Sequence, residues 1–470
     1  MTDSSVPLCL DLEGVLTPVN LLHERLLSAA KQSPAMLRQL LWRERRGKGP
    51  GEFQARAQID IASLPFRTEV LHWLRAQREI GRRLVLVADG DRQLAVQIAA
   101  HLDLFDEIAD ADGGGSSAER KRRVLIARFG EHGFDFVGSD ASDRIVWAAS
   151  RRALVVGDRS LSEQISQSAE VERVFQVDRP TLKTWIKAIR LHQWVKNGLI
   201  FLPALLAHQI SNAAVLLDAL VGFLAFGCCA SSVYLINDLL DLTADRQHPR
   251  KRRRPFAAGL LSARAGSNVA LLLLAAAALL SVTLGMAFAA VLGGYYLLTW
   301  GYSLRLKRVT LLDVMTLAGL YTLRIIAGAA ATKIELSFWL LAFSVFIFLS
   351  LGFVKRYAEL NDTRKTGTLI GHSRGYGVDD LPLIMTLGTA SGYCAVVVMA
   401  LYINSVDSSA LYRHHKALWL ICPVMLFWIS RVWMLTVRGH MHDDPVVFAL
   451  RDRPSLLILG ALGLIVLVSV

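Results

Sequence analysis

Asn237, Asp238, Asp241 and Asp245 follow a long apolar run, and the three aspartates are spaced i, i+3 and i+7. On a helix that spacing puts the carboxylates on one face. Three clustered carboxylates repel one another unless a cation lies between them. Mg²⁺ is the natural cation, because it takes hard oxygen ligands and bridges substrate phosphates. Lys251, Arg252, Arg253, Arg254 and Pro255 come next. Metal-ligating carboxylates beside a basic cluster suit the holding of a diphosphate. Asp238, Asp241 and Asp245 are therefore the candidate metal ligands. With Asn237 they form the candidate catalytic group, and Lys251 and Arg254 are candidate substrate contacts. A solvated helix end beside a topology-setting loop would explain the basic run. It does not explain three acids on one face at the end of an apolar run.

The elements that must position these residues are apolar. The chain has 470 residues, 53% of them hydrophobic, with a mean hydropathy of +0.38. Residues 1–190 are mixed in character. Nine apolar runs follow, near 195–210, 213–236, 264–283, 285–303, 309–330, 337–354, 381–404, 414–436 and 454–470. Several approach the roughly 20 residues that cross a bilayer. The stretch 264–303 must hold two of them with a tight turn near Gly285. Arg246, Arg250 to Arg254, Arg264, Arg305, Lys307, Arg308, Lys355, Arg356, Arg364, Lys365, Arg374, Arg438, Arg451 and Arg453 all fall in one set of loops. The opposite set holds little beyond Lys333, Arg413 and Lys416. The positive-inside rule assigns the first set to the cytoplasm and the C-terminus to the outside. This placement of the +12 net charge argues for anionic lipid and phosphate ligands and against nucleic acid. The five cysteines show no metal or disulfide spacing. Residues 1–10 have no basic n-region and no long apolar stretch, so the first domain is expected to stay in the cytoplasm.

Residues 7–17, 83–89, 134–140 and 153–158 read as buried strands ending in Asp, Glu or Gly. Helical patterns lie between them, which predicts an α/β domain with a parallel sheet. In such sheets ligands sit at the carboxyl ends of the strands. Residues 181–194 interleave Lys183, Lys187 and Arg190 with Trp185, Ile186 and Ile189, the pattern of an interfacial helix. The expected organisation is a soluble domain over 1–175, a linker helix over 176–194 and a transmembrane domain over 195–470.

The pattern N-D-x-x-D-x-x-x-D, followed by His248, Pro249, Lys251, Arg254, Pro255, Ala257 and Gly259, strongly resembles the UbiA superfamily of intramembrane prenyltransferases. Within it the sequence looks most like the decaprenyl-phosphate phosphoribosyltransferase branch. Arg190 to Asn197, Tyr302 to Lys307, Leu311 to Gly328 and Lys355 to Leu360 match as well, so the resemblance covers about 188–470. It implies an all-α bundle of about nine transmembrane helices in a bacterial-type inner membrane, with Mg²⁺ on the aspartates. Family members that transfer prenyl chains carry a second acidic motif where this chain has Lys355, Arg356, Glu359 and Asp362. A basic pair there suits a second phosphate-bearing substrate.

That branch implies phosphoribosyl pyrophosphate as donor and a polyprenyl phosphate as acceptor, for envelope glycan precursors. The acceptor oxygen is already ionised, so no strong general base is required. By resemblance and charge, Lys196, Arg254, Arg324, Lys355, Arg356, Glu359 and Arg374 are further substrate-binding candidates. Asp313 and Tyr302 are candidates to face a cavity. Residues 438–453, with His440, His442, Asp443 and Asp444, read as a polar cytoplasmic loop, with a metal site as the alternative reading. Two other readings stand beside this one. One is prenyl transfer from a polyprenyl diphosphate to an aromatic or other acceptor. The other is a non-catalytic phosphate-ligand binder or transporter.

Asp11-Leu12-Glu13-Gly14-Val15-Leu16-Thr17 resembles the first motif of haloacid dehalogenase-like (HAD) phosphatases, a resemblance covering about 6–160. It implies Asp11 as nucleophile, Glu13 at the acid/base position, and Lys121 and Asp143 as further site residues. Glu13 stands where that family has Asp, and Ser139 displaces the acidic position to Asp140. Weak or absent phosphatase activity is expected.

Overall fold

The computed structural model describes residues 5–32, 59–177, 179–366, 375–441 and 444–470. They pack as two compact units: residues 1–189 with 234–270, and residues 190–233 with 271–470.

The first unit is built on a six-stranded sheet, all of whose pairings are parallel. In chain order its elements are β1 (Leu8–Asp11), α1 (Leu21–Gln32), α2 (Thr68–Glu79), β2 (Leu84–Ala88), α3 (Arg92–Leu102), β3 (Glu107–Asp110), α4 (Ser117–Phe129), β4 (Asp135–Gly138), α5 (Arg144–Ala149), β5 (Ala153–Gly157), α6 (Arg159–Ile165) and β6 (Val171–Gln176). The strand order is β3-β2-β1-β4-β5-β6. Leu8, Leu10, Leu84 and Leu86 join one apolar cluster, and Cys9, Val85, Val87 and Phe136 join another. That alternation, all at full burial, is what a central strand covered on both faces requires. The order doubles back between β1 and β4, and ligand sites of such sheets form outside the strand ends at that switch point. Asp11 is the last residue of β1, and Ser139 and Asp140 follow β4 directly.

After β6, helix α7 (Leu182–Ala188) is capped by the Thr181 side chain. The expected linker helix is thus one short helix. Arg190 then takes a left-handed conformation and a 3₁₀ stretch runs Leu191–Phe201, followed by α8 (Leu202–Leu206). The first apolar run is therefore no single span-length helix.

The remaining elements are α9 (Ala213–Leu240), α10 (Leu242–Gln247), α11 (Ala263–Leu284), α12 (Met286–Leu304), α13 (Leu312–Thr332), α14 (Phe338–Thr366), α15 (Leu381–Ile403), α16 (Val406–Leu411), α17 (Ile421–Val437), α18 (Pro445–Ala449) and α19 (Arg453–Ser469). Among the described residues six helical segments are long and apolar enough to cross a membrane: α9, α11, α13, α14, and those containing α15 and α17. Helix α19 is shorter, with 17 residues. The chain turns between α11 and α12 at Gly285, whose φ of +96° favours glycine. Many large apolar side chains point outward, Leu272, Leu279, Leu297 and Leu457 among them, as lipid-facing surfaces do. Inside the bundle, a Cβ on Gly328 would meet the Ile200 carbonyl oxygen at 2.1 Å, so only glycine lets α13 lie on the 3₁₀ stretch.

Candidate functional site

Helix α9 carries Asn237 and Asp238 in its last turn and ends at Leu240. Asp241 leaves the helical conformation (φ −95°, ψ 10°) and precedes α10. Backbone hydrogen bonds still cross the junction, from Asp241 N to Asn237 O (2.9 Å) and from Asp245 N to Asp241 O (2.8 Å). The three carboxylates therefore keep a roughly helical order through a bend. Asp238 and Asp245 are buried, and Asp241 is half-buried.

The basic run folds back over them. Arg254 Nη1 donates to Asp238 Oδ1 at 3.0 Å and to Asp245 Oδ2 at 2.6 Å. Lys251 Nζ stands 3.9 Å from Asp245 Oδ1. His248 Nδ1 accepts from the backbone N–H groups of Arg250 (3.2 Å) and Lys251 (3.4 Å), which sets the reversal. Among the described residues, no three His, Cys, Asp or Glu side chains gather as a metal-ligand group. Two buried carboxylates do share one cation. That donor set fits Mg²⁺, which is held by one or two carboxylates plus substrate phosphates rather than by an all-protein cage.

The second unit holds another charged cluster. Asp444 Oδ2 accepts from Lys196 Nζ at 2.7 Å and from Lys355 Nζ at 3.4 Å. The Tyr321 hydroxyl donates to the same carboxylate, at 2.9 Å to Oδ1 and 3.2 Å to Oδ2. Lys196 also lies 5.5 Å above the Tyr321 ring. Asp444 caps α18 by accepting from Val446 N at 3.2 Å. Arg324 is buried in α13. It donates to Asn197 Oδ1 (3.0 Å) and the Tyr295 hydroxyl (3.1 Å) and lies over the rings of Tyr295 and Tyr321. Lys196, Lys355 and Arg324 thus cluster on or around Tyr321, from three separate elements.

Arg356 behaves differently. It is fully buried, with Nη2 2.7 Å from Asp313 Oδ2 and a further ion pair to Glu359. Asp313 also accepts from the Tyr376 hydroxyl at 2.6 Å. These groups tie α13, α14 and the segment before α15 together, and Asp313 has no exposed surface. Tyr302 is half-buried. Arg374, His442 and Asp443 lie outside the described residues.

Sequence reasoning named Asp444 within a polar loop but not its pairing with Lys196 and Lys355, and it did not single out Tyr321. One signal was present: Asp immediately before Pro is a helix-start signature, and it distinguishes Asp444 from the rest of its polar loop.

At the switch point of the sheet, Lys121 Nζ from α4 is ion-paired with Asp11 and lies 3.0 Å from Asp143 Oδ1. All three are buried. Burial pushes the Asp11 carboxyl up to about 6, Lys121 working against the rise and Asp143 adding to it. Burial acts to lower Lys121, yet Asp11 and Asp143 hold its ammonium above its ordinary value. Among the described residues, the buried Asp143 Oδ2 has no hydrogen-bond partner. Glu13 is engaged elsewhere: Oε2 accepts from Asn20 Nδ2 (2.9 Å) and Oε1 from Leu21 N (3.0 Å). Asp140 Oδ1 accepts from Ser142 N at 2.8 Å and caps the turn that carries Asp143.

Comparison with known proteins places these groups in context. The profile of the UbiA prenyltransferase family matches residues 199–451. An uncharacterized protein of Sinorhizobium fredii, y4nM, is 36% identical over 469 residues, covering 98% of this chain and 90% of that one. Nodulation protein NoeC of Azorhizobium caulinodans is 36% identical over 291 residues, covering 60% of this chain and 93% of that one. Decaprenyl-phosphate phosphoribosyltransferase of Mycobacterium tuberculosis is 34% identical over 278 residues, covering 57% and 88% respectively.

Proposed function

This chain belongs to the UbiA prenyltransferase family and is a multi-pass membrane transferase; from that premise we propose that it moves 5-phosphoribosyl from phosphoribosyl pyrophosphate to a polyprenyl phosphate. Similarity to decaprenyl-phosphate phosphoribosyltransferases supports the donor and acceptor. The observation that carries the reading is the Asp444 cluster. Two lysine ammonium groups and a tyrosine hydroxyl converge on one carboxylate. The same donors suit the oxyanion of a phosphate monoester.

Asp238 and Asp245, with Asp241, are the residues that would hold Mg²⁺, which when bound neutralises charge on the pyrophosphate oxygens. Arg254 and Lys251 add contacts to the leaving pyrophosphate. Lys196, Lys355 and Tyr321 orient the lipid phosphate, with Arg324 supporting them through Asn197 and the shared rings. The C1–O bond to pyrophosphate breaks and a bond from C1 to the lipid phosphate oxygen forms. That oxygen is already ionised, so no proton must be removed. Catalysis rests on positioning and on charge placed where charge develops. The Arg- and Lys-rich loops and the N-terminal domain lie on the cytoplasmic side of a bacterial-type inner membrane, and the C-terminus lies outside.

The N-terminal domain is HAD-like, with Asp11, Lys121 and Asp143 at the switch point of the sheet. Glu13 caps a helix instead of standing ready as an acid/base, which supports weak or absent phosphatase activity.

Membranes containing the chain, given labelled phosphoribosyl pyrophosphate and Mg²⁺, should pass label into organic solvent only when a polyprenyl phosphate is added. Label entering only from a labelled polyprenyl diphosphate would make the chain a prenyl transferase instead.

A further inference from the structure

We propose that the N-terminal domain positions the carboxylate loop, and that Glu24 is the positioning residue, acting through Arg246 on the adjacent Asp245; this rests on the reading that the loop receives the donor's diphosphate. Residues 234–270 pack in the same compact unit as the α/β domain. Four of the described contacts that join the two fall on the segment from Arg246 to Gly259.

The first is a bidentate pair. Arg246 Nη1 and Nη2 donate to Glu24 Oε2 and Oε1 at 3.0 and 2.7 Å, and both side chains are at most 10% exposed. Arg246 Nε also donates to the Ala257 carbonyl at 3.3 Å, so one guanidinium braces both ends of the loop. Planar, two-pronged pairs of this kind fix orientation as well as charge. The second contact runs from Gln247 Nε2 to Asp60 Oδ2 at 3.0 Å. The third is Lys187 Nζ to the Arg253 carbonyl at 3.2 Å. The fourth is steric. Gly259 has φ +71°, and a Cβ there would lie 2.5 Å from Pro18 Cγ.

Glu24 is itself fixed from the switch point of the sheet. Asn20 caps α1, its Oδ1 accepting from His23 N at 3.0 Å. Glu13 holds Asn20 and the Leu21 N–H. A carboxylate at the position a phosphatase would use for proton transfer therefore secures the helix that carries Glu24. The chain of contact runs from Glu13 to α1, to Glu24, to Arg246, and along α10 to Asp245 and Arg254. Supporting groups of this kind typically change metal affinity or activity by roughly 10- to 100-fold when removed.

The test uses the full chain in lipid nanodiscs. Hydrogen exchange is measured across residues 242–260 without substrate, together with the KM for phosphoribosyl pyrophosphate and the KM for polyprenyl phosphate. Glu24→Ala should speed exchange in 242–260. It should raise the donor KM by roughly 10- to 100-fold and leave the acceptor KM within about twofold. Combining Glu24→Arg with Arg246→Glu should recover much of both effects. Glu24→Gln serves if Glu24→Ala fails to fold, with exchange in β1 and β4 as the control for an intact sheet. Unchanged exchange and unchanged donor KM in a folded variant would overturn the proposal, as would equal losses on both KM values. Faster exchange in a chain whose parent shows no transfer from phosphoribosyl pyrophosphate would sink the donor assignment and leave the positioning contact standing.

Discussion

Arg254 Nη1 lies 2.6 Å from Asp245 Oδ2, so the basic run is folded back onto the carboxylates that precede it. The same nitrogen reaches Asp238, and both acids are buried. One guanidinium thus offsets two carboxylates that would otherwise repel.

Removing it should be destabilising. Arg254→Ala is expected to lower stability by about 2 kcal/mol, the scale of a lost charge-assisted hydrogen bond. Added Mg²⁺ should recover more stability in the variant than in the parent, because a divalent cation substitutes for the missing charge. Thermal melts with and without Mg²⁺ read this directly. Equal Mg²⁺ shifts in both proteins would remove the carboxylates as the metal site.

Asp444 gathers two lysines and a tyrosine. Asp444→Asn keeps the shape and the cap on α18 but loses the charge that draws Lys196 and Lys355 together. The KM for polyprenyl phosphate should change by tenfold or more, on the order seen for supporting groups around a charged site, while the donor KM moves little. Steady-state kinetics with each substrate varied in turn decides it. An effect confined to the donor would reverse the assignment of the two sites.

Asp11 gives the α/β domain a pH dependence of known sign. Its carboxyl is raised from 3.8 to about 6 by burial, so the folded state holds the proton more tightly than the unfolded state does. The stability it contributes is present below the unfolded value and is lost as pH rises through about 6. The slope is at most about 1.4 kcal/mol per pH unit. Asp11→Asn should flatten this dependence between pH 4 and 6, seen as hydrogen exchange of the β1 amides. An identical pH profile in the variant would show that Asp11 does not carry the proton.

Phosphate release from a generic phosphomonoester should be the same for the parent and for Asp11→Asn, because Glu13 is engaged as the support of α1. Release that depends on Asp11 would establish a working phosphatase in the N-terminal domain.

Much of this was legible in the sequence because local rules governed it. The strands at Leu8–Asp11 and Leu84–Ala88 are runs of apolar residues, and Gly285 stands where two spans had to turn. The carboxylate spacing survives because hydrogen bonding continues through Asp241. What could not be read was long-range pairing. Asp444 meets Lys196 across 248 positions. Arg356, read as a phosphate contact, lies fully buried against Asp313, a partnership no local pattern encodes. The first apolar run has the composition of a span, yet it folds as a 3₁₀ stretch and a five-residue helix, where Pro203 and the close packing on Gly328 govern the backbone.

The central claim is tested most directly by label transfer from phosphoribosyl pyrophosphate to a polyprenyl phosphate, comparing the parent with Asp238→Ala in the same membranes. The expected result is label in the lipid extract of the parent and a loss of at least 100-fold in the variant, the scale of removing a group that stabilises developing charge. Lipid-bound label at equal rates in both would contradict the carboxylate site, and none in either would contradict the phosphoribosyl donor.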